Sequence, residues 1–327
     1  MRGGLVIALV LSVMFAGAGC SVDARSDEAA VRQITVEHRF GTTTVEGTPT
    51  RIVATSSQWL DALLEFGVQP VGYLSAGPMG DERGLYPWES DVAEAAVELD
   101  RASVTQSGAP LPAEEIAAMN PDLILGSFAI TDQDDFDRIS GIAPTVAAIG
   151  DEQVDPWELQ VETLGRLLGK EGQAAEIVAK TDGFVNGLTE RLPGLAGKTA
   201  VLSQFMFATD QLVVVADPDD GASTVFRRLG LTLPPDLVEE AGATGGRLML
   251  SPERVDALDA DLVVILPNGG TREDLMALPG FAELPSVRGG GLAAQDYATV
   301  VGFNTPSSRS LVYSLNRIMP QLEAVAT

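Results

Sequence analysis

Hydrophobic and polar positions fall into two series of short strands and helices, separated by one long helical stretch. The first series predicts an edge hairpin at 34–47, strands at 52–55, 69–74, 122–126 and 145–149, and helices starting near residues 56 and 133. A strand, a helix and another strand in close succession favour parallel pairing. The pattern therefore indicates an α/β lobe that covers residues 34–154.

Residues 155–192 show no strand pattern, and their apolar positions recur at spacings of three and four. One connecting helix is predicted here, although Gly165, Gly169 and Gly172 would permit a kink or a break. The second series predicts strands at 198–205 and 211–217 with a turn near Asp210, a helix at 222–229, a strand at 262–268, a helix at 272–278, a strand at 298–303 and a helix at 307–324. This indicates a second α/β lobe over residues 193–327.

One sequence pattern occurs in both series. Residues 114–125 read EEIAAMNPDLIL and residues 253–264 read ERVDALDADLVV. Each copy predicts a short helix, with Glu114 or Glu253 in its first turn, followed by a buried strand after Asp122 or Asp261. Two similar lobes are the simplest explanation, and two lobes imply a cleft that can hold a ligand.

The N-terminus has the features of a secretory signal. Arg2 supplies a positive charge, residues 5–15 are apolar, and small residues precede Cys20, the only cysteine of the chain. Residues 1–20 resemble a bacterial lipoprotein signal, which implies lipid on Cys20. Gly17 stands where such signals usually carry leucine, so ordinary cleavage is the alternative. Residues 21–33 are polar, as expected of a tether.

Composition argues against nucleic-acid binding and against catalysis. The formal net charge of −25 would repel phosphate backbones, and solubility is its simplest role. His38 is the only histidine, and its place in the hairpin predicts an exposed surface ring. No serine-hydrolase elbow, zinc-protease helix motif or phosphate-binding loop occurs in the sequence. We therefore expect a binding protein, not an enzyme, with no metal site of its own.

Candidate ligand-binding residues follow the predicted strands, because ligands of such sheets bind at the carboxyl ends of the strands. Most are aromatic, and for each aromatic residue alone core packing is the competing interpretation. Arg101 and Arg247 precede the two repeats and could offer a guanidinium to an anionic ligand, or could be solvated surface residues. The full set is Trp59, Tyr73, Ser75, Tyr86, Trp88, Arg101, Phe128, Phe205, Phe207, Arg247, Asn268 and Phe303.

Over residues 34–325 the sequence resembles the substrate-binding proteins of bacterial ABC importers, in the helical-backbone class that serves ferric siderophores, haem and cobalamin. The resemblance lies in FGTTTVEGTPTRIV, EFGVQPVGYL, NPDLILGS, FDRISGIAPTV and the stretch from WELQVETLG to TDGFV. It implies two Rossmann-like lobes joined by one long backbone helix at 155–192, with only small movements of the lobes. It also implies that Glu114 and Glu253 dock onto arginines of the permease.

The resemblance further implies a monomeric, extracytoplasmic receptor that is anchored to the membrane through Cys20 and captures a ferric siderophore. The ligand would carry the iron, so no cofactor is expected. Haem is a less favoured ligand because histidine, a common axial ligand, is missing from the predicted cleft, although Tyr73, Tyr86 or Tyr297 could serve. Cobalamin, a non-transport sensory lipoprotein and an exported hydrolase of siderophore esters are the remaining alternatives.

Overall fold

The computed structural model describes residues 32–74, 76–99, 110–150, 154–242 and 246–327. The strands in these ranges are β1 (Gln33–His38), β2 (Gly41–Glu46), β3 (Ile52–Ala54), β4 (Gly72–Leu74), β5 (Val97–Leu99), β6 (Leu123–Leu125), β7 (Thr145–Val146), β8 (Ala200–Met206), β9 (Gln211–Val215), β10 (Arg247–Leu250), β11 (Leu262–Asn268) and β12 (Leu292–Ala294). The helices are α1 (Ser57–Glu65), α2 (Ala113–Ala118), α3 (Gln133–Ser140), α4 (Trp157–Leu168), α5 (Glu171–Arg191), α6 (Gly221–Arg228), α7 (Pro235–Ala241), α8 (Arg272–Met276), α9 (Pro285–Gly289), α10 (Tyr297–Asn304), α11 (Ser308–Arg317) and α12 (Met319–Val325).

The first sheet has the strand order β5-β4-β3-β6-β7, and all its strands are parallel. The central strand β3 is buried at every position, as expected when helices cover both faces of a parallel sheet. The strand order reverses between β3 and β6, which is where ligands bind in open sheets of this kind. The predicted hairpin is also present, as the antiparallel pair β1 and β2.

The second sheet repeats this layout, with the strand order β10-β9-β8-β11-β12. Strands β8, β11 and β12 are parallel, whereas β9 runs antiparallel to both β8 and β10. The turn between β8 and β9 contains Asp210 at a φ of 49°, close to the predicted turn. Each series thus forms its own five-stranded sheet, in agreement with the predicted α/β class.

The aspartate of each sequence repeat makes the same pair of hydrogen bonds to a threonine in its own lobe. Asp122 Oδ2 accepts hydrogen bonds from Thr50 N at 2.8 Å and Thr50 Oγ1 at 2.9 Å. Asp261 Oδ2 accepts the equivalent bonds from Thr199 N at 2.8 Å and Thr199 Oγ1 at 3.0 Å. We call these pairs the aspartate clamps. Each clamp joins the start of a central strand to the start of its neighbour, and so fixes the register of that pair.

The connecting stretch at 155–192 is two helices and not one, and the break lies at Gly169, one of the glycines where the sequence permits it. Helix α4 ends at Leu168, and Gly169 adopts a left-handed φ of 69° before α5 begins at Glu171. The amides of Gly169 and Lys170 bond back to Arg166 O and Gly165 O, so the turn satisfies the end of α4. The longer helix, α5, has 21 residues and is about 31 Å long.

Three further predictions need correction. Residues 298–303, predicted as a strand, lie in α10, because Asp296 caps this helix by accepting from Thr299 N at 2.9 Å. The predicted C-terminal helix breaks at Ile318 into α11 and α12, whose second residue is a proline. The second repeat forms only a 3-10 turn at Val255–Leu258. Glu253 therefore lies in the turn before it and not in the first turn of a helix.

Among the residues that the structure describes, no helix combines the length and apolar character needed to cross a membrane.

Candidate ligand-binding site

A recess of about 110 Å³ lies between the second sheet and α10. Helix α10 contributes Tyr297, Val300, Val301 and Asn304, whose spacing of three and four places them on one helical face. Four strands supply the opposite wall. Their lining residues are Leu202, Ser203, Gln204, Val213, Val215, Arg247 and Leu266. The recess is therefore mainly apolar, with a few neutral hydrogen-bonding groups.

Among the described residues that line the recess, Arg247 carries the only charge, and that charge is paired with Asp220. Its Nε and Nη2 donate to Asp220 Oδ2 at 3.2 and 2.8 Å. The other oxygen of Asp220 accepts from Ala222 N at 3.0 Å and caps α6. The two oxygens of the Asp220 carboxylate thus have different partners, Ala222 N for Oδ1 and Arg247 for Oδ2. The sequence predicts Arg247 on a loop, whereas in the structure it is the first residue of β10.

Beside the recess, four aromatic side chains form what we call the interlobe cluster: Tyr86, Trp88, Tyr297 and Tyr313. The Tyr86 and Trp88 rings stack with centroids 4.8 Å apart, and Trp88 meets Tyr313 at 5.1 Å. Tyr86 and Trp88 lie on the loop after β4, whereas Tyr297 and Tyr313 belong to α10 and α11. Because Tyr297 also lines the recess, the two features adjoin.

Buried hydrogen bonds hold this aromatic loop in place. Asp61 Oδ2 accepts from Trp88 Nε1 at 2.9 Å and from the hydroxyl of Ser307. Arg309 donates to Trp88 O at 3.0 Å and to Glu65 Oε1 at 3.0 Å. The loop is thereby tied to α1 on one side and to the start of α11 on the other.

Burial raises the pKa of Asp61 to about 7, and the hydrogen bond from Ser307 only partly opposes this effect. Burial, together with the nearby Asp61 carboxyl, also raises the pKa of Glu89 well above its ordinary value. Asp61 Oδ1 and Glu89 Oε1 are both buried and have no hydrogen-bond partner among the described residues. Ionising both groups would leave two desolvated charges close together, so protonated forms of this pair persist towards neutral pH.

Four predicted ligand-binding aromatics are core residues instead. Trp59, Tyr73, Phe205 and Phe303 have relative exposures of 0%, 1%, 1% and 0%. Trp59 Nε1 donates to Gly126 O, and the Tyr73 hydroxyl donates to Arg83 O at 2.9 Å. Their polar atoms are satisfied inside the protein and their rings pack in the core, so they present no surface to a ligand in this conformation.

The other predicted site residues have varied positions. Tyr86 is buried and Trp88 is half-buried, both in the interlobe cluster. Phe128 is 43% exposed after β6. Phe207 and Asn268 are half-buried, and Phe207 N donates to Asn268 O at 3.0 Å outside the recess. Ser75, Arg101 and the lipidation candidate Cys20 lie outside the described residues.

His38 differs from its prediction as well. Its ring is 8% exposed, pairs with Thr43 Oγ1 at 2.9 Å and lies 5.0 Å from the Phe136 ring. Burial lowers the pKa of His38. The predicted exposed ring is therefore a packed part of the hairpin.

Most of the recess was missing from the predicted ligand set. The missed residues are Leu202, Ser203, Gln204, Val213, Val215, Leu266, Tyr297, Val300, Val301 and Asn304. Interpreting residues 297–304 as a helix would have placed four of them on one face. The β-branched residues of this segment favoured a strand and hid that signal.

Glu114 and Glu253 are both exposed, and the topology places them at equivalent edges of the two sheets. Glu114 lies in the first turn of α2. The C-terminal end of α2 leads to Asp122, the clamp residue at the amino edge of the first sheet. Glu253 follows the end of β10, which is parallel to β8. Each glutamate thus lies towards the carboxyl edge of its sheet.

In the parts of the chain that the structure describes, no group of three or more His, Cys, Asp or Glu residues could hold a metal ion.

Comparison with known proteins identifies the family. A model described as periplasmic binding protein matches residues 86–294, which include both the interlobe cluster loop and most of the recess. The chain belongs to the periplasmic binding protein family. The family comprises substrate-binding proteins of transport systems, so the resemblance inferred from the sequence is confirmed.

Three relatives illustrate the similarity. The ferric enterobactin-binding periplasmic protein FepB of Escherichia coli O6:H1 is 28% identical over 310 residues, covering 90% of each chain. The probable siderophore-binding lipoprotein YfiY of Bacillus subtilis is 24% identical over 264 residues, covering 79% of this chain and 76% of YfiY. The crystal structure of a periplasmic solute binding protein from Mycobacterium smegmatis is 26% identical, with a TM-score of 0.73 and coverage of 90% and 99%.

Proposed function

We propose that this periplasmic binding protein is an extracytoplasmic lipoprotein that captures a ferric siderophore and delivers it to an ABC permease. The names of FepB and YfiY support a siderophore as the ligand class. The iron arrives inside the chelate as cargo, so the protein needs no cofactor. Its contribution is binding and presentation, with no catalytic step.

The observation that carries the proposal is the adjacency of the recess and the interlobe cluster. The recess, at about 110 Å³, is smaller than the 300 to 1,000 Å³ typical of complete ligand sites. It would therefore take one arm of a chelate, while the rest lies against the aromatic side chains. Tyr297 contributes to both features and would contact both parts of the ligand.

Delivery would use the two exposed glutamates. We assign Glu114 and Glu253 to docking on the permease, because both lie towards the carboxyl edges, where the ligand-binding loops also lie. Paired charges at two separate points would orient the complex as well as attract it. Lipid on Cys20 would keep this monomeric receptor at the membrane.

Ligand binding is tested by titrating the purified protein with a panel of ferric hydroxamates, catecholates and citrate, followed by intrinsic tryptophan fluorescence. We expect saturable quenching by at least one chelate, and a loss of affinity of tenfold or more in Tyr297→Ala, with Tyr297→Phe as the conservative control. If every ferric siderophore fails while haem or cobalamin binds, the ligand assignment is wrong.

Docking is tested by uptake of the radiolabelled chelate in cells that express the double variant Glu114→Ala, Glu253→Ala. We expect uptake to be lost while the affinity for the chelate stays unchanged. A second double variant, Glu94→Ala with Glu239→Ala, removes two other exposed carboxylates and controls for total charge. Normal uptake by the first variant would remove the docking role and favour a sensory lipoprotein.

A further inference from the structure

The electrostatics of the recess bear on the kind of chelate that fits it. We propose that the preferred ligand is an uncharged or cationic ferric chelate of the hydroxamate type, and not an anionic tris-catecholate or citrate complex. This inference rests on the proposed siderophore-binding function and specifies its substrate class.

The first argument concerns Arg247, the one cation among the lining residues that the structure describes. An anionic chelate that bonds to this guanidinium would do so beside the Asp220 carboxylate, whose Oδ2 already accepts from Nε and Nη2. Asp220 cannot swing away freely, because its Oδ1 caps α6 through Ala222 N. The Asp220 side chain is 15% exposed and that of Arg247 is 37% exposed, so solvent partly screens the pair from the arginine side. Arg247 is therefore a neutralised cation.

The second argument concerns the cations near the recess and the interlobe cluster. Arg227 pairs with Asp219 at 3.4 Å, and Arg309 pairs with Glu65 and Asp91. Arg83 donates to the carbonyl oxygens of Val92 and Ala93 at 2.9 and 2.8 Å. Each of these guanidiniums is already engaged. Asp219 offsets the charge of Arg227, and Glu65 and Asp91 offset that of Arg309, so an anionic ligand near either arginine would also meet a carboxylate.

The third argument concerns the groups that remain available. Gln204, Tyr297 and Asn304 are uncharged polar residues, and the other lining residues are apolar apart from Arg247 and Ser203, whose hydroxyl donates to Val264 O at 3.4 Å. Amides and hydroxyls can donate hydrogen bonds to the oxygens of an uncharged chelate, while valine and leucine side chains accept its carbon skeleton. A net charge of −25 also slows the approach of anions and favours that of cations.

The inference is tested with three probes of different charge: ferrichrome, which is neutral, ferrioxamine B, which is cationic, and ferric enterobactin, which is anionic. Each is titrated into the wild-type protein under identical ionic strength. We expect ferrichrome or ferrioxamine B to bind at least tenfold more tightly than ferric enterobactin. Tighter binding of ferric enterobactin would overturn the inference and leave the proposed function intact. Binding of none of the three would overturn the inference, and failure of every other ferric siderophore as well would overturn the proposed function.

A matched pair of variants isolates the role of Asp220. Asp220→Asn keeps a residue that can cap α6 but frees Arg247, so affinity for ferric enterobactin should rise about tenfold or more while affinity for ferrichrome stays close to wild type. Asp219→Asn removes an equal charge from an exposed ion pair outside the recess and should leave both affinities unchanged. Equal gains in the two variants would show a general charge effect and contradict the role of the Asp220–Arg247 pair.

Discussion

Replacing Arg309 by alanine should destabilise the protein far more than removing an ordinary surface arginine. Arg309 donates to Glu65 at 3.0 Å, to the two Asp91 oxygens at 2.6 and 3.0 Å and to Trp88 O at 3.0 Å. These bonds join α11 to α1 and to the aromatic loop. Loss of the guanidinium would leave Glu65 mostly buried without its partner.

The size of the expected loss in stability follows from how deeply the paired side chains are buried. Arg309 and Glu65 side chains are 17% and 19% exposed, whereas Asp91 is 53% exposed. Breaking a buried pair by removing one partner costs about 3 to 5 kcal/mol, and an exposed pair contributes at most about 1 kcal/mol. The residual exposure of Glu65 reduces the first figure. We therefore expect a loss in the free energy of unfolding of about 2 to 4 kcal/mol for Arg309→Ala.

Urea unfolding followed by circular dichroism measures this loss. The control is Arg317→Ala, which removes an arginine of the same helix from a 3.5 Å pair with Asp296 that is about half exposed on both sides. This control should change stability by less than about 1 kcal/mol. If Arg309→Ala costs no more than Arg317→Ala, the network does not stabilise the loop and the reasoning fails.

The pH dependence gives a second check. The hydrogen bond from Arg309 lowers the pKa of Asp91, against the opposing effect of burial. Stabilisation from this group is therefore present above its unfolded pKa and disappears as the pH falls through the folded value. The difference between wild type and Arg309→Ala should narrow in acid. A constant difference down to about pH 3 would contradict the ionic origin of the effect.

Three further predictions concern stability. Gly302→Ala would place a methyl group against the Ser314 hydroxyl and 3.2 Å from Ser310 O, so it should destabilise the α10–α11 contact by about 1 to 3 kcal/mol in urea unfolding. Gly183→Ala, with open space around it, should stabilise α5 by about 0.5 to 1 kcal/mol, and equal effects of the two variants would refute the steric argument. Burial tends to raise the pKa of Asp261, but hydrogen bonds from Thr199 outweigh it and lower that pKa. Asp261→Asn should therefore cost about 1 to 2 kcal/mol at pH 7, and the cost should fade as the pH drops through the folded pKa; a deficit that persists in acid would count against this. The raised pKa of Asp61, about 7, means that its contribution is fully present below its unfolded pKa and is lost as the pH rises through about 7. Asp61→Asn should reduce that loss between about pH 4 and 8 and leave a smaller pH dependence from Glu89, whose pKa is also raised; an unchanged profile would assign the whole titration to another group.

The sequence was most informative where local pattern and burial agree. Strand β6 and the first five residues of β11 are consecutive apolar residues because helices cover both faces of each sheet, and continuous runs of this kind are easily detected. Both repeats end in such a run, so the two-lobed arrangement could be inferred from the sequence alone.

The site was harder to predict because tertiary contacts decide it. Helix α10 is rich in residues that favour strands, and its fold depends on the Asp296 cap and on close packing of Gly302 against α11. The recess also combines residues from four strands whose alignment depends on pairing across the whole second sheet. Trp59 comes after β3 and Tyr73 lies near the end of β4, which are positions typical of cleft residues. The side chains of both residues are nevertheless buried in the core.

The aspartate clamps suggest how this architecture can diversify. Both clamps lie at the amino edge of a sheet, where they pin the central strands, while the ligand-facing loops leave from the opposite edge. Loop substitutions can therefore accumulate without loosening the strand pairing beneath them. Because the clamps and the ligand-facing loops lie at opposite edges of each sheet, the same pair of sheets can carry loops that bind different ligands.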